Sequence, residues 1–170
     1  YSNPIVQLRA GMPFYYEAPV VWAVEFSADG VKQIVVEDPT AQPMLQKWVV
    51  TRGDWTLPDV SWEGPPNQRR PGVSKLTGRD DRNRKILLPP ITALEGGATV
   101  DLDAMELMIR DAANTNLLGR MPVPGRFFEY CIPPKTQRQT LPVSVTNVPA
   151  GGARVELIQP RWWSEPIGGQ

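Results

Sequence analysis

Polar and apolar positions alternate in short runs along most of the chain, and turn residues close each run. Pro19–Ser27 sets Val20, Trp22, Val24 and Phe26 on one side and Val21, Ala23, Glu25 and Ser27 on the other. That period of two belongs to a half-buried strand. Asp29-Gly30 reads as a type I′ hairpin turn, whose central residues need positive φ, with Val31–Glu37 as the returning partner. Ile5–Arg9 is a shorter strand candidate, and Asp38-Pro39-Thr40 breaks the pattern. Met44, Leu45, Trp48 and Val49 have helical spacing with Thr40 as a possible cap. The β-rich Trp48-Val49-Val50-Thr51 favours a strand over Gln46–Thr51 instead.

The last third, Ala98–Pro166, repeats the theme. Lys85–Leu88 and Ala98–Leu102 read as strands around Pro89-Pro90 and Gly96-Gly97. For Asp103–Asp111 a strand puts Met105, Leu107 and Ile109 on one face. A helix capped by Asp103 would face Met105, Met108 and Ile109 inward. The short length and the Asn114-Thr115-Asn116 turn favour the strand. Leu117–Met121 starts a further segment. Arg126–Ile132 alternates as a strand that Pro133-Pro134 ends, because proline cannot donate into a ladder. Leu141–Thr146 and Ala153–Gln159 are strands separated by Pro149-Ala150-Gly151-Gly152. Many short strands without a confident helix predict an all-β fold: one antiparallel β-sandwich domain, jelly-roll-like, over residues 1–170.

Residues 64–85 depart from this pattern. The run GPPNQRRPGVSKLTGRDDRNR has almost no apolar residue beyond Val73 and Leu76, and reads as a long loop or arm. Between Arg69 and Lys85 lie seven basic residues (Arg69, Arg70, Lys75, Arg79, Arg82, Arg84, Lys85) against two acidic ones, a local excess of +5. The whole chain has a formal net charge of zero, so its remainder is acidic by the same amount. A basic arm and an acidic body suggest contact with a partner, a second copy included. No aromatic interrupts the run as a base-stacking platform, which argues against nucleic acid.

Composition narrows the chemistry. The 170 residues are enough for a core without metal or disulfide, and 19 Pro with 14 Gly fit many turns. One Cys and no His exclude an intrachain disulfide, a Cys/His zinc site and a His-based triad within one chain. Cys131, in a predicted strand, reads as a buried thiol. Asp101 and Asp103 share one face of a strand, a spacing open to a cation or glycosidase pair but more simply structural. Asp80-Asp81, between Arg79 and Arg82, suits a salt-bridged turn. Neither Gly-Gly pair continues into a phosphate loop. Trp22, Trp55 and Trp62 read as core or interface anchors. Trp162 and Trp163 are adjacent, so a strand sends them to opposite faces, one to the core and one outward or to a partner. No cofactor is expected, no apolar run approaches a membrane span, and no signal peptide is visible. The chain starts at Tyr1, consistent with processing or with a longer parent chain.

GGATVDLDAMELMIRDAANTNLLGRM, RFFEYCIPP and LPVSVTNVPAGGARVELIQPRWWSEP together resemble the β-sandwich of the distal-tail and minor-tail proteins of siphophages. The likeness extends over roughly Trp55–Pro166. Its motifs are structural: a VDxD-like segment at Asp101 and Asp103, an IPPG-like stop at Pro133-Pro134, and a PRWW-like end at Arg161-Trp162-Trp163. Lys135 stands where the stop often has glycine. The resemblance implies a structural virion protein assembled in the host cytoplasm and placed at the tail tip. Such a subunit forms a ring, commonly a hexamer, that contacts tail tube protein, tape measure protein and baseplate or receptor-binding parts. The alternative is a carbohydrate-binding sandwich with Trp55, Trp62 or Trp163 as its platform. An enzyme would need a carboxylate pair or a Ser-Lys arrangement, and no spacing singles one out.

Overall fold

The computed structural model describes residues 14–60 and 81–164. Among these residues nine strands form two antiparallel sheets packed face to face, a β-sandwich. In chain order they are β1 (Tyr15–Phe26), β2 (Gly30–Asp38), β3 (Lys47–Val50), β4 (Asp54–Pro58), β5 (Lys85–Leu87), β6 (Ala98–Asp101), β7 (Ile109–Asp111), β8 (Thr136–Thr146) and β9 (Ala153–Trp163). One sheet runs β1-β9-β3-β6-β7 and the other β2-β8-β4-β5. The pairs nest: β1 with β9, β2 with β8, β3 with β6, β4 with β5. A long antiparallel ribbon has thus been rolled until β9 also meets β3 and β8 also meets β4. This is the strand order of a jelly roll, with β7 added beside β6. The β4–β5 connection lies at the tip of the ribbon.

The sequence alternation fixes which face each strand buries. Trp48, Val50, Trp55, Leu57, Ile86, Val100, Val143, Val145, Val155 and Leu157 fill the core. Phe26 meets Trp55 edge to face at 5.6 Å. Both buried indoles find acceptors: Trp55 Nε1 donates to Thr51 O (2.7 Å), and Trp48 Nε1 to Gln46 Oε1 (3.1 Å). Gln159, fully buried in β9, reaches the other sheet. It accepts from Glu37 N at 3.1 Å and donates to Val35 O at 3.0 Å, so it satisfies backbone groups of β2 that no strand reaches.

Several local expectations change. Asp29-Gly30 does not make a hairpin, because β1 and β2 belong to different sheets and Gly30 is not among the positive-φ residues. The turn instead hands the chain across the sandwich. Asp29 accepts from Asn147 N and Val148 N, tying this crossover to the one between β8 and β9. Asp103–Asp111 is a strand only from Ile109. Asp101 accepts from Asp103 N, and Asp103 from Met105 N, so carboxylates take the donors a ladder needs. Met105 is left almost fully exposed. Leu117–Met121 holds a 3-10 turn at Leu118–Arg120.

Arg126–Ile132 is not a regular strand either. Side chains take over its backbone: Asp59 accepts from Glu129 N and Tyr130 N, Arg84 donates to Phe127 O, and Gln46 donates to Tyr130 O. Backbone pairing is reduced to isolated bridges, at Tyr130 and at Ile132, the latter with Met44. Pro133-Pro134 does end this segment, and Lys135 next to it has φ of 59°, the left-handed geometry that favours the missing glycine.

Candidate partner-binding surface

The arm enters and leaves the sandwich between β4 and β5. Arg69, Arg70, Lys75 and Arg79 lie outside the described residues, as do Trp62 and Ile5–Arg9. Arg82 and Lys85 are exposed at its return. Arg84 is not a surface residue of the arm. Its side chain is 3% exposed and ion-paired with Asp59, which is fully buried, and with Glu129 at 3.0 Å. Asp59 N also donates to Arg84 O, and Tyr130 OH to Asp81 Oδ2 at 2.6 Å. Sequence reasoning counted Arg84 with its neighbours by charge. The period of two running through Arg84, Ile86 and Leu88 puts it on the inward side. Burial pushes Asp59 up to about 6, against the pull of Arg84 and the two backbone donors. The base of the arm is therefore a buried polar clasp rather than a binding surface.

A second feature lies where β1 and β9 run past their neighbours. Tyr15 faces Trp163 and Tyr16 faces Trp162 across the pair, and Phe14 stacks on Trp162 with ring centroids 6.1 Å apart. Neither tryptophan joins the core, contrary to the expectation for one of them. Both are half-buried. Trp163 Nε1 donates to Glu17 Oε2 at 3.0 Å, while Trp162 Nε1 is buried with no acceptor among the described residues. β3 stops pairing with β9 at Ile158, so Pro160 sits where that side of β9 has no ladder to fill. Beside it opens a groove of about 330 Å³ between Tyr16, Pro19, Leu45, Ile158, Pro160 and Trp162, with Lys47, Asp101 and Asp103 at one end. Asp101 is mostly buried and paired with Lys47 at 2.9 Å. Asp103 is half-exposed, with no cation at ion-pair distance among the described residues. The Phe14-Tyr15-Tyr16 run was the sequence signal for this end.

The third feature is the free edge of β1. Among the described residues no strand pairs with it. Pro19, a register shift between Glu17 and Val20, and Lys32 Nζ donating to Glu25 O (2.6 Å) interrupt this edge near either end. Between them Val20–Val24 carries no charge, and Val21 is 49% exposed. Trp22 faces inward from this strand, half-buried, with the Arg138 guanidinium 4.8 Å over its ring.

Other sequence candidates are structural. Cys131 is buried, and burial pushes its thiol up to about 11, so it is a poor nucleophile. Arg161 donates to Glu37 Oε1 at 3.0 Å, a tie between the sheets. Pro133 accepts from Thr136 Oγ1 at 2.6 Å. Trp55 is fully buried and offers no platform to a sugar. A wide depression of about 690 Å³ is lined by Glu25, Lys32, Thr51, Gly151 and Arg154 among others. Its Arg154 is already shared between Glu25 and Glu156, so its charges do not converge on a ligand. No protein-family model matches this chain, and no curated protein or solved structure shows significant similarity to it.

Proposed function

We propose that the protein is a structural, non-enzymatic virion subunit that assembles with copies of itself. It forms a ring at a siphophage tail tip and joins the tail tube to baseplate or receptor-binding components. The observation that carries self-assembly is the uncharged stretch Val20–Val24 on the edge of β1, where Val21 and Ala23 are exposed and no strand pairs among the described residues. Such an edge is a template for another chain unless something covers it. The jelly roll is compatible with this role, since the architecture serves viral shells and lectins alike and does not decide between them. The tail-tip placement rests on the Ala98–Pro166 resemblance.

The test is native mass with negative-stain imaging of the wild type and of Val21→Lys. A ring of tail-tube diameter that Val21→Lys disperses supports the reading. A wild type that stays monomeric at high concentration refutes it. The second reading, a lectin, is favoured by one observation, the cluster of Phe14, Tyr15, Tyr16, Trp162 and Trp163 at the end of β1 and β9. Retention of a monomer on a glycan column, lost with Tyr16→Ala, would establish it.

A further inference from the structure

We propose that the groove beside Trp162 receives the proline-rich basic stretch Gly64–Pro71 of a second copy of this chain, an inference that rests on the self-assembly reading. The groove walls are mainly apolar: the rings of Tyr16 and Trp162, two prolines (Pro19 and Pro160), Leu45 and Ile158. Aromatic walls of this kind suit proline rings, which bring apolar surface and little conformational entropy to lose. A glycan site would present more hydroxyl-bonding groups, and here the polar ones gather at one end only. There Asp103 lacks a nearby cation among the described residues, and Asp101 is satisfied by Lys47. The mouth of the groove therefore calls for a positive charge. Trp162 Nε1 is buried without an acceptor among the described residues, so a carbonyl that came within reach of it would supply the missing bond. Proline-rich segments expose their carbonyls because the extended polyproline II conformation makes no internal hydrogen bonds.

Within this sequence, Gly64-Pro65-Pro66-Asn67-Gln68-Arg69-Arg70-Pro71 combines adjacent prolines with adjacent arginines at a separation of two residues. It is also part of the only strongly basic run of the chain, whose remainder is acidic. Topology puts donor and receiver on different parts of the subunit. The stretch belongs to the β4–β5 connection of one sheet, whereas the groove crosses the other sheet from β1 to the end of β6. A contact between two unlike surfaces is heterologous, the kind that builds rings.

The experiment uses the full chain carrying R69E/R70E as receiver, so that its own basic stretch does not compete. The probe is a synthetic peptide of residues 63–72, titrated by calorimetry at low and high salt. The expected result is binding that weakens with salt and falls about tenfold with Tyr16→Ala, since an aromatic anchor is commonly worth that much. Tyr16 is 68% exposed, so its truncation leaves the fold intact. Asp103→Lys in the receiver should abolish binding of the native peptide and restore binding of a peptide carrying Glu at positions 69 and 70. No binding, or binding indifferent to both Tyr16→Ala and Asp103→Lys, overturns the proposal. So does a neutral oligosaccharide that occupies the groove and loses its hold with Tyr16→Ala. Native mass of the wild type, run alongside, separates the two readings. A ring that forms without peptide binding sinks the groove assignment alone. Peptide binding by a wild type that remains monomeric removes the second copy, and with it the assembly reading.

Discussion

Replacing Arg84 by Met should destabilise the protein by about 3–5 kcal/mol, the usual consequence of stranding one member of a buried ion pair. The size follows from the surroundings. Asp59 is fully buried and Arg84 nearly so, so water cannot replace the lost cation. The guanidinium also donates to Phe127 O at 2.7 Å and to Glu129 Oε1 at 3.0 Å, and its loss frees the irregular segment 126–132 on one side. Against a typical total stability of about 5–15 kcal/mol this is a large fraction. Urea unfolding of wild type, Arg84→Met, Asp59→Asn and the double variant measures it. The double variant should be clearly more stable than the sum of the single effects, because Asp59→Asn removes the charge that Arg84→Met strands. The penalty should also shrink from pH 7 to pH 5. Burial already pushes Asp59 up to about 6, and without its cation the carboxyl rises further and is neutral in the folded variant. An Arg84→Met variant within about 1 kcal/mol of wild type, or strictly additive singles, would refute the clasp.

Asp38 and Asp59 are both pushed by burial to about 6 from an ordinary 3.8, so folding takes up protons. Their contribution to stability therefore grows as pH falls from 7 to 5, by about 1 kcal/mol each. Glu95, held down to about 2 by Thr92 and Arg120, acts in the opposite sense only below its ordinary 4.5. Calorimetric Tm should be higher at pH 5 than at pH 7, and a lower value counts against the buried carboxylates. Lys135→Gly should raise stability by about 1 kcal/mol by relieving a left-handed residue, and a loss in denaturant melts would contradict the geometry. Gly53→Ala should cost about 2 kcal/mol or more. Gly53 has φ of 138°, and a Cβ there would lie 2.7 Å from Val145 Cγ2, so a neutral melt would show that strand β8 yields.

Period-two patterning was enough to reveal the strands that bury one face, and β1, β3 and β9 lie where alternation puts them. It was blind to which sheet each strand enters. Asp29-Gly30 has hairpin composition, yet the partners of β1 and β2 are β9 and β8, about a hundred residues or more away in sequence. Local turn chemistry carries no information about such distant pairing. Arg126–Ile132 failed for a related reason. Phe128, Tyr130 and Ile132 are buried, but the side chains of Asp59, Arg84 and Gln46 bond the backbone of Phe127, Glu129 and Tyr130 in place of a continuous ladder. The groove was half legible. Asp101, Asp103 and Trp162 were singled out separately, while Tyr16, Leu45 and Pro160 join them only through the sheet order.

The nested ribbon gives these pieces a common logic. Sheet order places β1 and β2 on one side of the sandwich and β5 and β7 on the other. The clasp of Asp59 and Arg84 anchors the root of the basic stretch at the β4–β5 end, and the open edge and aromatic groove belong to β1 and β9. A subunit whose donor and acceptor surfaces differ can only associate head to tail, giving a ring if the rotation closes and a filament if it does not. The two proposed contacts should also respond differently to conditions. Pairing along β1 is a backbone and apolar contact and resists salt. The proposed contact of Arg69 and Arg70 with Asp103 is electrostatic in kind, so it would be screened beyond about 8 Å at physiological ionic strength. Raising salt should thus loosen the assembly without dissolving it, whereas Val21→Lys should dissolve it at any salt. Complete dissociation by salt alone would show that the edge of β1 contributes nothing.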